Sequence, residues 1–121
     1  MSILFAIMLA GATPNPADIL GPNSPAYQPD KDFEKCLNEA SAKLYNSLDS
    51  AETIASGAMS ACGPQRLVLS QAMLTYFESH QDAYEKPVLD EIDALMVSEG
   101  QELARLFVLM IRSKAQNAPN K

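Results

Sequence analysis

Two cysteines and a single histidine are the most distinctive reactive groups in this chain of 121 residues. Cys36 and Cys62 lie on either side of Asp49, each about thirteen residues from it, and helical patterns run through both arms. At about 1.5 Å of rise per residue, arms of equal length folded back at Asp49 bring the two sulfurs level to within roughly one turn. The spacing predicts a disulfide that staples a helical hairpin. Closing a loop of about 27 residues stabilises a fold by about 3–4 kcal/mol in the chain-entropy model, a large share of the total for a small domain. The alternative is two buried thiols acting as small hydrophobes. With no C-x-x-C pair, no adjacent histidine and no third ligand, a metal or catalytic role has no support.

His80 is the only histidine, the residue type suited to proton transfer near neutral pH. Tyr76 and Tyr84 stand one helical turn to either side, and a hairpin around Lys86 would bring Asp93 to a similar level, so an Asp-His-Tyr cluster can be written. Against it, no serine or cysteine nucleophile has the strand-to-helix setting that would expose it. No carboxylate or second histidine lies one turn from His80 to complete a metal pair. The acidic residues Glu78, Asp82, Glu85, Asp90, Glu91 and Asp93 lack the Asp/Asn and Gly alternation of a calcium loop and read as a solvated face. Five scattered glycines form no phosphate-cradling loop. The expectation is a protein that is not an enzyme and has no metal and no cofactor. Glu99, between Met96 and Leu103, reads as a stripe-edge residue reaching water; buried, it would mark a site or an interface.

The elements that position these residues read as helices. The chain has no tryptophan, is 47% hydrophobic, is rich in alanine and carries no alternating strand pattern, which points to closely packed helices. A first pattern from Asp30 or Asp32 to Leu48 sets Phe33, Cys36, Leu37, Ala40, Leu44 and Leu48 on one face. Asp49 and Glu52 suggest a capping box for a second helix. Its small residues, from Ala55 to Ala61, allow a close approach to Ala40 and Leu44. Gly63, as a left-handed cap, and Pro64 end it. A third pattern covers Pro64 to Tyr84 with a wide apolar face that includes Leu67, Val68 and Leu69. The fourth starts at Pro87, runs to Arg112 and passes a candidate kink at Gly100. A small four-helix all-α domain over residues 30–114 is therefore expected, with a disordered tail at 115–121.

Residues 1–12 read MSILFAIMLAGA, an apolar run followed by an A-x-A site, the pattern of a secretory signal peptide cleaved after Ala12. No Lys or Arg precedes the run. It is too short to span a bilayer core of about 30 Å, so no stable membrane insertion is expected. Residues 13–29 carry Pro14, Pro16, Pro22, Pro25 and Pro29 and read as a disordered, extended linker in which Ile19, Leu20 and Tyr27 are the groups able to dock. The net charge of -6 and the absence of a basic, aromatic-lined stripe argue against nucleic acid as a partner.

With its export signal, proline-rich lead and short helical domain bearing Cys36 and Cys62, the chain resembles in layout the small periplasmic helical proteins of bacteria, a class that includes acid-stress chaperones. Their cysteines lie farther apart, and the resemblance implies a secreted or periplasmic location but assigns no residue a role. The leading functional expectation is a non-enzymatic interaction domain that binds a protein or itself through Leu103, Leu106, Phe107, Met110 and Ile111, in a segment apolar nearly all round. The alternatives are a carrier holding a small apolar ligand between helices, in a cavity lined by Met73, Tyr76, Phe77 and Met96, and a periplasmic stress or chaperone-like protein.

Overall fold

The computed structural model describes residues 19–80 and 88–116. The signal-like segment, Tyr84, the Lys86-Pro87 break and the end of the tail lie outside them. Among the described residues four helices follow one another: α1 (Tyr27–Leu44), α2 (Ala51–Ala61), α3 (Gly63–Ser79) and α4 (Leu89–Gln116). Among the described residues the fold is all-α, and Cys36 and Cys62 form a disulfide with their Cα atoms 5.9 Å apart. None of these helices is long and apolar enough to cross a membrane.

The second half of the proline-rich stretch is not the extended lead expected of it. Ile19 and Ala26 are fully buried in the main core. Between them the backbone turns, with the Ser24 N–H donating to Gly21 O at 2.9 Å and the Tyr27 N–H to Ser24 O at 3.1 Å. Prolines suit such turns, and Pro29 falls in the first turn of α1, where a missing N–H breaks no intrahelical bond. α1 therefore starts at Tyr27, ahead of Asp30. Its buried stripe is Asp30, Phe33, Leu37 and Ser41.

α1 also ends earlier than its apolar period does. The period continues through Leu44 and Leu48, yet the helix stops at Leu44. Arg112 of α4 donates from Nε to Tyr45 O at 2.7 Å, and from Nη2 to Ser47 O at 3.1 Å and Asp49 O at 2.8 Å. These charge-assisted bonds take up backbone acceptors past the helix end. The Asp49–Glu52 capping box does not form. Ser50 is the N-cap instead, its Oγ accepting from the Thr53 N–H at 3.2 Å, as short hydroxyls do at this position.

α2 and α3 meet at Cys62, which ends one and precedes the other with φ of -101°. Gly63 is not left-handed; it is the first residue of α3, with Pro64 beside it in the opening turn. Leu69, Met73, Tyr76 and Phe77 of α3 are buried, but Leu67 and Val68 are exposed, so the wide apolar face is not covered on all sides.

α4 packs on all three other helices and most extensively on α2. Its buried stripe is Ile92, Met96, Gly100, Leu103, Ala104 and Val108, and the helix runs unbroken through Gly100. Gln101 Nε2 donates to Glu52 O at 3.1 Å, and Ser41 Oγ to Ala104 O at 3.5 Å, tying α4 to α2 and α1. Phe33, Leu37, Leu69 and Met96 are each fully buried, and such side chains contribute roughly 1.5–3 kcal/mol apiece by leaving water.

Candidate functional site

Asp93 does not join His80. Its Oδ1 accepts from Arg66 Nε at 3.0 Å and from Ser70 Oγ at 3.0 Å, both on the first half of α3. His80 closes the far end of that helix, about 15 Å of rise beyond Ser70. There its ring stacks on Tyr76 with centroids 4.1 Å apart, and Nδ1 lies 2.8 Å from Tyr76 O. Asp93 thus joins α3 to α4 while His80 and Tyr76 lie at the far end of α3, and Tyr84, the remaining member of the expected cluster, lies outside the described residues. Among the described residues no group of His, Cys, Asp and Glu is placed to hold a metal ion.

Met73, Tyr76, Phe77 and Met96 are all buried members of the main core, as are Leu69 and Phe33. Two surface grooves lie elsewhere. One, of about 230 Å3, runs between the starts of α1 and α3 along Pro29, Asp32, Pro64, Gln65 and Val68. The other, of about 340 Å3, runs between α1 and α2 past Cys36, Ala40, Leu44 and Gly57. A Cβ on Gly57 would come 3.9 Å from Leu44 Cδ1, so the small-residue face of α2 does lie against the end of α1.

The apolar segment of α4 divides lengthwise. Leu103 and Val108 are buried, and Phe107, half-buried, packs on the main core. Val108 instead joins Ala51 and Ile54 in a second, smaller cluster. Leu106 and Ile111 are half-buried, while Leu109 and Met110 are exposed at 42% and 52%. Arg105, the charge within the segment, is engaged by Glu102 three residues back, with Nε donating to Oε2 at 3.1 Å, and this bond holds the Glu102 carboxyl below its usual range.

Two features were not expected. Leu48, assigned to the core from its period, is fully exposed. It sits between Ser47 and Asp49, whose carbonyls Arg112 binds, so the bonds that end α1 also hold Leu48 in water beside the last turns of α4. A leucine on an arm between Asn46 and Asp49 was the available signal. The other is Asp30, expected at the helix start to face solvent and the dipole. It is 4% exposed, and among the described residues its Oδ1 has no hydrogen-bond partner. Burial first, and the Glu34 carboxylate second, push its carboxyl up to about 7 against the opposing pull of Lys31. Glu99 is partly exposed; its place in the buried stripe is taken by Gly100. No family model, no curated protein and no solved structure matches this chain.

Proposed function

We propose that this is an exported, non-enzymatic interaction protein that docks an apolar helical surface on a protein partner or on a second copy of itself. The carrying observation is the end of the bundle where Leu48 stands wholly exposed next to Arg112, with Leu109 and Met110 exposed within the preceding turn of α4. Large apolar side chains standing in water at one end of the bundle favour a partner that covers them. Leu106, Phe107 and Ile111 extend the same end of α4 and are half-buried, which suits the margin of such a contact. The Cys36–Cys62 bond supports a secreted or periplasmic setting, since oxidising compartments preserve such bonds.

Sedimentation of the full chain over a range of concentrations, with co-purification of the native protein, tests this reading. A concentration-dependent dimer or one stoichiometric protein partner is expected. Leu48→Glu and Met110→Glu should abolish the association without lowering the melting temperature, because neither side chain is part of the core. A monomer at every concentration, with no protein partner travelling with it, would overturn the proposal.

A further inference from the structure

Asp30 is the buried carboxyl that no structural role explains. It lies in the first turn of α1 with Phe33 and Leu37 on its face. Among the described residues Oδ1 accepts no hydrogen bond, although a buried carboxylate ordinarily requires several. Among the described residues, the charges acting on it are Glu34 and Lys31, both on α1, and α2, α3 and α4 contribute none. Its own N–H donates to Ala26 O at 2.9 Å. Ala26 is the fully buried residue at which the lead segment enters the helix, and Ile19 anchors the other end of that lead in the same core. The unpartnered acid therefore sits at the joint between the lead and the bundle.

We propose that Asp30 is a proton-operated latch: protonated, it keeps the segment Ile19–Ala26 folded on the core, and ionised, it drives that segment and the first turn of α1 to open so that the carboxylate reaches water. Protonated, the group is neutral and the cost of leaving an oxygen unpaired is modest. Ionised in place, it is a desolvated charge with a like-charged neighbour one turn on at Glu34. The lead is the least costly element to move, being held by local turn bonds and by the burial of Ile19 and Ala26, whereas α1 beyond Cys36 is bound covalently to the rest. The direction follows from linkage. The closed state holds the proton up to about 7, whereas the opened state releases it near 3.8. Closure is thus fully stabilised below the lower value and is progressively lost as pH rises through the upper one. Opening would free Ile19 and Leu20 and uncover part of the core wall, making this a conformational device distinct from the apolar end at Leu48.

Amide hydrogen exchange of the full-length oxidised protein, corrected for intrinsic rates, tests the latch. Protection of the amides from Gly21 to Asp30 should fall by about a hundredfold between about pH 5 and about pH 8, while α3 amides change little. Asp30→Asn should keep the lead protected at both. As a check that needs no variant, the Asp30 carboxyl carbon of the wild type should titrate together with the lead amides by NMR. Equal lead protection at both pH values, an unchanged fall in Asp30→Asn, or a carboxyl titrating in the ordinary aspartate range would each overturn the proposal.

Discussion

A Cβ placed on Gly100 would come 2.6 Å from the Met59 Sδ and 2.9 Å from the Phe33 Cζ, so α4 meets α2 and α1 at a point with no room for a methyl group. Met59 and Phe33 are both buried. The thioether can swing aside, but the ring tip sits in packed surroundings and cannot. Gly100→Ala gains about 1 kcal/mol of helix propensity and incurs about 1–3 kcal/mol of overpacking, so a net loss of about 1 kcal/mol is expected in denaturant titration. Gly100→Val should lose several times as much. A stabilised alanine variant would show that the three helices slide apart freely at this point.

The Cys36–Cys62 bond joins α1 to the residue between α2 and α3. Reducing it, or replacing both cysteines by alanine, should lower unfolding free energy by about 3–4 kcal/mol. The reading is the urea midpoint with and without reductant. An unmoved midpoint would mean that packing against α4, not the staple, sets the stability of the hairpin.

The parts legible in the sequence are those governed by local period. Phe33 and Leu37 fall on the apolar face of α1 that the sequence shows and are fully buried, because a 3.6-residue period places them on a face whatever that face meets, whereas Leu103, expected on an interaction face, is buried. The level of the two cysteines followed from arm length alone. The misread parts depend on groups distant in sequence. Leu48 continued the period of α1, but Arg112, 67 residues beyond Tyr45, claims the carbonyls past Leu44 and turns the chain. Asp30 has the sequence position of an exposed helix-start acid, yet it is buried at the start of α1, next to a lead that folds on the core although its prolines argue for an extended chain. A hairpin folded around Lys86 would bring Asp93 level with His80, whereas it meets α3 in that helix's first half. Gly100 looked like a kink and is a contact.

Arg112 supplies a third prediction. Arg112→Ala leaves Tyr45 O, Ser47 O and Asp49 O without their donor, and a loss of about 1–3 kcal/mol is expected at this partly exposed site. Arg112→Lys should recover little, because an ammonium on a flexible stem cannot reproduce the planar fork that reaches three carbonyls. Exchange of the Ser47 to Asp49 amides should rise in both variants. Lysine rescue would show that charge at this end, rather than geometry, is what closes the turn.

The separation of Asp93 from His80 is testable by double-mutant cycles. Asp93 and Arg66 share a hydrogen bond at 3.0 Å with both side chains largely covered. The pair Asp93→Ala and Arg66→Ala should therefore show a coupling of about 1–2 kcal/mol. Ser70→Ala should couple to Asp93→Ala in the same sense, more weakly, since its hydroxyl is neutral. His80→Ala removes the stacking on Tyr76 and the contact with its carbonyl, so it should destabilise α3 by about 1 kcal/mol, with effects additive to Asp93→Ala within about 0.5 kcal/mol. Additivity is the outcome for groups on different levels of α3. A coupling between His80 and Asp93 as large as that between Arg66 and Asp93 would restore the Asp-His-Tyr cluster as a unit and reopen an acid-base role for it.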